Sequence, residues 1–99
     1  MVFALLQNYP NPFNPATKIQ FTIVNTRLPH KAENGGQGQL TIVKVYDVLG
    51  REVSTLVNEN KEPGTYTLQF DGSNLAGGVY VYRLQAGEFV QCKKLMLLK

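Results

Sequence analysis

Apolar and polar residues alternate along most of this chain, and a period of two is typical of strands with one buried face. No segment repeats its apolar residues at helical spacing. Turn-forming residues, among them Gly50, Pro63 and Gly64, separate the alternating segments. The pattern predicts strands at residues 3–7, 17–24, 39–48, 52–57, 65–70, 79–85 and 89–98.

The faces of these strands predict where the core lies. Strand 39–48 is apolar on both faces, which is typical of a central strand covered on both sides. About seven short strands in 99 residues predict an all-β fold, an antiparallel β-sandwich of immunoglobulin-like type, formed by residues 1–99 as a single domain. Alternate side chains of two later strands should face one common core, namely Tyr66, Leu68, Phe70, Tyr80, Tyr82 and Leu84.

Residues 7–15, which we call the strap, read QNYPNPFNP. Proline has no backbone N–H and restricts the residue before it, so the strap can form neither a helix nor a ladder strand. Tyr9 and Phe13 carry large rings that gain from burial. We therefore predict a stiff, extended lead-in that is held to the domain by both rings.

Cysteine usage and charge narrow the possible functions. Cys92 is the single cysteine, so an internal disulfide is excluded, and its place in a strand predicts a half-buried structural thiol. The formal net charge is +3, but the basic residues are dispersed, which argues against nucleic-acid binding.

Residues 1–6 are apolar but too few to span a membrane, and they lack the features of a signal peptide. Residues 27–38, rich in glycine and charge, predict a mobile surface loop.

The candidate chemical groups do not combine into a catalytic site. His30 is the only histidine and lies in the 27–38 loop, and neither Ser54 nor Ser73 has the context of a catalytic serine. The segment Asp71 to Asn74 has too few oxygen ligands for calcium and predicts a turn capped by its own side chains. We expect no catalytic residue, no cofactor and no metal.

Four ordered motifs of this chain together resemble one family. They are QNYPNPFNPATKIQFTI at 7–23, VKVYDVLGREVSTLVNE at 43–59, GTYTLQFDGSNLAGGVYVYRLQAG at 64–87 and KKLMLLK at 93–99. This order is similar to the C-terminal sorting domain of the type IX (Por) secretion system of Bacteroidetes and related phyla. The resemblance covers nearly the whole chain, although the 27–38 loop looks longer than usual and Cys92 stands where a small polar residue such as threonine is more usual.

The resemblance implies a non-catalytic tag behind an N-terminal cargo domain, so we expect the chain to be a fragment of a larger secreted protein. It implies as partners the outer-membrane translocon and a sortase-like surface protease. It also implies passage through the periplasm to the cell surface or the medium. No nucleic acid and no membrane span are expected.

The resemblance places recognition at the terminus, in the residues Lys93, Lys94, Leu95, Met96, Leu97, Leu98 and Lys99. Alternation puts Leu95 and Leu97 on one face of the last strand and Met96 and Leu98 on the other. We expect the backbone of this strand to be open to a partner, as sheet edges can be.

The alternative is an accessory binding module for carbohydrate or for a neighbouring catalytic domain. In that case, Tyr46, Tyr66, Tyr80 and Tyr82 would form a stacking platform rather than pack in the core.

Overall fold

The computed structural model describes residues 2–24 and 38–99, which form seven strands and no helix. The strands make two antiparallel sheets, ordered β1-β2-β5 and β4-β3-β6-β7, so the predicted immunoglobulin-like sandwich is confirmed. Within these two ranges, no helix is long and apolar enough to cross a membrane. The strands are β1 (Val2–Leu5), β2 (Ala16–Val24), β3 (Gln39–Tyr46), β4 (Glu52–Lys61), β5 (Gly64–Asp71), β6 (Gly78–Ala86) and β7 (Phe89–Leu97).

The core between the two sheets contains the six predicted side chains. Phe70, Tyr80, Tyr82 and Leu84 are buried, and Tyr66 and Leu68 pack against them half-buried, which confirms the prediction. Burial raises the pKa of Tyr82 from its ordinary value of 10.0 to about 12. Its hydroxyl donates to the backbone oxygen of Leu6 at 2.7 Å, so the phenol is both buried and satisfied.

Two of the tyrosines therefore belong to the core and not to a shared platform. Tyr46 lies apart from them, half-buried on the outer face of the four-stranded sheet, where the Arg83 guanidinium sits 5.3 Å from its ring centroid. Tyr66 stacks on Phe21 with ring centroids 5.2 Å apart. The stacking platform that the carbohydrate alternative needs is not formed by these four rings.

Two predictions about individual strands are wrong. β3 lies between β4 and β6 but has only one buried face, that of Thr41, Val43 and Val45, because no further layer covers the outer face among the described residues. β4 continues to Lys61 rather than ending at Val57, since its polar last residues pair with β3 while their side chains reach solvent.

Some predictions fall on residues that the structure does not describe. The expected mobile loop 27–38 lies outside the described residues except for Gly38, and so does His30. Gly38 is half-buried just before β3, close to the backbone of Lys61.

Candidate functional site

The C-terminal strand β7 forms one edge of the four-stranded sheet, where β6 is its one strand neighbour among the described residues. On its other side, Phe13 of the strap forms a parallel bridge with Leu97. Leu95 and Leu97 point into the core and are buried, whereas Met96 and Leu98 are 42% and 49% exposed on the outer side. The predicted division of these four side chains between two faces is confirmed. Lys93 is half-buried, and Lys94 and Lys99 are exposed.

The strap covers the free edge of the last part of β7. The Phe13 N–H donates to the Met96 oxygen at 2.9 Å, and the Leu98 N–H donates to the Phe13 oxygen at 2.8 Å. Two strap side chains complete the edge, since Gln7 Nε2 donates to the Lys94 oxygen at 2.7 Å and Asn11 Oδ1 accepts from the Met96 N–H at 3.0 Å. The expectation of an open backbone is therefore wrong for the Lys94 oxygen, for both backbone groups of Met96 and for the Leu98 N–H, because the strap has already satisfied these groups.

One ring of the strap is buried and the other is not. Phe13 is 1% exposed and meets Phe70 edge-on, with ring centroids 6.0 Å apart. Tyr9 is 79% exposed, so the prediction of its burial is wrong. The backbone of Tyr9 bridges that of Lys18, and paired residues share a face of the sheet. Because Lys18 faces outward, the Tyr9 ring does too.

The buried neighbour of Tyr9 is Asn8, which the sequence analysis missed. Asn8 is 2% exposed, and its Nδ2 donates to the Pro10 oxygen at 3.1 Å and to Thr17 Oγ1 at 3.0 Å. Thr17 Oγ1 in turn donates to the Pro10 oxygen at 2.8 Å. The strap runs antiparallel to the start of β2, which places Asn8 beside the buried Thr17. This pairing would have predicted the burial of Asn8.

Replacing Asn8 by alanine should lower the free energy of unfolding by about 1–3 kcal/mol, because it removes the two hydrogen bonds of the buried amide, one of which joins the strap to Thr17 of β2. Asn14→Ala is the matched control, since Asn14 is an exposed asparagine of the same segment and a substitution there should cost at most about 0.5 kcal/mol. Urea denaturation of both variants measures the difference. Equal effects of the two substitutions would show that the Asn8 side chain does not hold the strap.

A third segment, the turn after β5, contacts the terminus. Gly72 donates its N–H to the Pro15 oxygen at 2.8 Å, and a Cβ added to Gly72 would lie 2.9 Å from Leu97 Cδ2. Lys99 Nζ donates to the Ser73 oxygen at 2.6 Å. The last residues of the chain are therefore held between the strap and this turn.

The turn has the predicted side-chain cap. The Ser73 N–H donates to Asp71 Oδ1 at 2.9 Å, and the Ser73 hydroxyl donates to the same oxygen. The hydrogen bond from the Ser73 hydroxyl has the largest effect on the Asp71 carboxylate and lowers its pKa. The hydrogen bond from the Ser73 N–H and the charge of Lys99 lower this pKa further. The carboxylate therefore stays ionised beside the terminus at neutral pH.

The single cysteine lies on the outer face of β7. Cys92 is exposed, so the prediction of a half-buried thiol is wrong. Its position follows from alternation, because Cys92 shares a face with Lys94 and Met96 rather than with the buried Leu95. In residues 2–24 and 38–99, no three His, Cys, Asp or Glu side chains are grouped to hold a metal ion.

These features define a small β-sandwich whose final strand is fixed at its end by two distant segments. A family model described as the secretion system C-terminal sorting domain matches residues 7–98. The match covers most of the chain, so this chain belongs to that family, and the resemblance of its motifs to the type IX sorting domain is confirmed. The family is one of sorting signals rather than of enzymes. No curated protein matches the chain.

Proposed function

We propose that this chain directs an N-terminally attached cargo through the type IX outer-membrane translocon to the cell surface or the medium. Membership of the sorting-domain family supports a sorting role in type IX secretion and export. The chain acts as a folded tag of one domain, residues 1–99, and carries out no catalysis itself. The translocon binds the tag, and a sortase-like surface protease then separates it from the cargo.

We assign recognition to the terminal residues Lys93, Lys94, Leu95, Met96, Leu97, Leu98 and Lys99. The observation that carries this assignment is the fixed, outward presentation of Met96 and Leu98 on a strand whose backbone is tied to the strap. Leu95 and Leu97 contribute indirectly, because their burial in the core fixes the orientation of the strand and so the outward direction of Met96 and Leu98.

The charges of this segment support a docking role. Lys93 and Lys94 form no ion pair with any described residue, since the pairs found there are Lys44 with Glu52, Arg51 with Asp47 and Lys61 with Glu59. Lys94 lies next to Met96 on the outer face. An exposed apolar and basic surface of this kind fits a partner with apolar and acidic groups.

The test is a fusion of a reporter to the domain that carries Met96→Ser and Leu98→Ser together, produced in a type IX-competent bacterium. Both side chains are about half exposed, so the melting temperature should stay close to that of the unmodified domain. The reporter should accumulate in the periplasm, because the translocon loses the apolar groups that it reads. Fractionation of surface, medium and periplasm measures the distribution.

The matched control carries Val24→Ser and Leu40→Ser. These two residues are strand residues, both 48% exposed, at sites away from the terminus. The control fusion should reach the surface as the unmodified one does. Equal delivery of the two double variants would contradict the assignment of recognition to Met96 and Leu98.

A further inference from the structure

The strap covers only one part of the free edge of β7. The two-residue turn at Gly87 and Glu88 makes Ala86 and Phe89 a hydrogen-bonded pair, so alternate residues from Phe89 onward bond to β6. Val90, Cys92, Lys94 and Met96 therefore direct their N–H and C=O groups away from the sheet. The strap is hydrogen-bonded to the Lys94 oxygen and to both backbone groups of Met96.

The remaining edge groups are those of Val90 and Cys92 and the N–H of Lys94, and they have no backbone partner among residues 2–24 and 38–99. The start of β7 is nevertheless well held, since Phe89 stacks on Phe3 of β1 with ring centroids 5.4 Å apart. A rigid strand with unpaired edge groups is a template for one more strand.

We propose that residues 90–94 are a strand-addition site, at which an extended segment of the secretion machinery pairs with β7. The proposal rests on the sorting function proposed above and deepens it. The site ends at Lys94, because an added strand could pair beyond this residue only if the strap separated from β7. Main-chain hydrogen bonds to Val90 and Cys92 provide the attachment, as in other cases of strand addition.

The side chains beside this edge indicate the chemistry of the added segment. Val90 is 52% exposed and Cys92 is exposed on the same outer face, so apolar residues of the partner would cover them. Lys94 follows on that face without an ion-pair partner among the described residues. A strand that ends on a carboxylate opposite Lys94 would complement both features.

Three variants of the reporter fusion test the site. Cys92→Pro removes an N–H that points away from β6, a position where an edge strand tolerates proline. Cys92→Ala removes the thiol and keeps the N–H. Thr67→Pro is the matched backbone control on β5, the edge of the other sheet. Thr67 lies opposite Gln20 of β2. The Gln20 oxygen accepts from the Leu6 N–H at 3.0 Å, so the backbone groups of Gln20 point away from β5. Because opposite residues of an antiparallel pair either both face each other or both face away, the N–H of Thr67 also points out from the sheet.

Cys92→Pro should reduce surface delivery about tenfold or more, because the partner loses a hydrogen bond and meets a ring instead. Thr67→Pro should be delivered like the unmodified fusion. Cys92→Ala keeps the N–H and loses only the thiol contact, so it should lower delivery far less than Cys92→Pro does. Thermal melting of the three isolated domains shows which variants are folded. Delivery of a folded Cys92→Pro fusion at the level of Cys92→Ala would overturn the site while leaving the sorting function in place, since the unmodified fusion would still be exported.

A photoreactive phenylalanine analogue at position 90 tests the site even if Cys92→Pro does not fold. During export it should crosslink to an outer-membrane protein of the secretion machinery that mass spectrometry identifies, and the same analogue at position 67 should not. Crosslinks of equal yield at the two positions, or none at position 90 from a fusion that is exported, would overturn the proposal.

Discussion

Replacing Phe13 by alanine is expected to lower the free energy of unfolding by about 3–5 kcal/mol, as for other buried phenylalanines. The ring is 1% exposed, packs on Phe70 and lies beside Gly72. It also fixes the backbone of Phe13, whose two hydrogen bonds hold Met96 and Leu98. Domains of this size have a total stability of about 5–15 kcal/mol, so a large share depends on this one side chain.

Tyr9→Ala is the control for this prediction, because Tyr9 is the other ring of the strap and is 79% exposed. Its loss should change the free energy of unfolding by no more than about 0.5 kcal/mol. Guanidinium denaturation of both variants, with midpoint and slope compared, measures the difference. Two equal and small effects would mean that the strap is not anchored by Phe13.

Deleting residues 94–99 is expected to abolish cooperative unfolding of the domain as well as delivery of its cargo. The deletion removes the buried leucines Leu95 and Leu97, each worth about 2–5 kcal/mol when truncated to alanine. It also removes the groups to which Gln7, Asn11 and Phe13 are hydrogen-bonded. The combined loss approaches the whole stability of a small domain.

The truncated fusion should therefore remain in the periplasm, and its melting curve must be recorded beside the secretion assay. A defect in delivery alone would not separate lost recognition from lost folding, which is why the outward-facing variants at Met96 and Leu98 are the sharper test. Normal surface delivery of the truncated fusion would contradict a sorting role for the terminal residues.

The sequence alone predicts the strands and most of the core side chains, because both depend on the local alternation of apolar and polar residues. Phe70, Tyr82 and Leu84 each occupy the buried face that their spacing of two predicts. The division of the last strand into buried Leu95 and exposed Met96 follows from the same rule. Alternation does not indicate the end of β4, since its polar last residues pair with β3 although their side chains give no apolar signal.

The features that alternation could not predict depend on contacts between distant segments. The strap has no regular hydrogen-bonding pattern, so nothing local shows that Asn8 is buried and Tyr9 exposed. Its pairing with Met96, more than 80 residues along the chain, closes an edge that the sequence suggested was open. The exposure of Cys92 could not be predicted, because its position in a strand does not show whether its side chain faces the core or the solvent.

The most direct measurement of the central claim is the location of a reporter that carries a periplasmic signal peptide and this domain at its C-terminus. It would be produced in a type IX-competent bacterium and in the same strain without the translocon, beside a reporter that lacks the domain. The account predicts that the domain moves the reporter to the surface or the medium only when the translocon is present. A fusion that stays in the periplasm of the competent strain, or reaches the surface without the translocon, would contradict it.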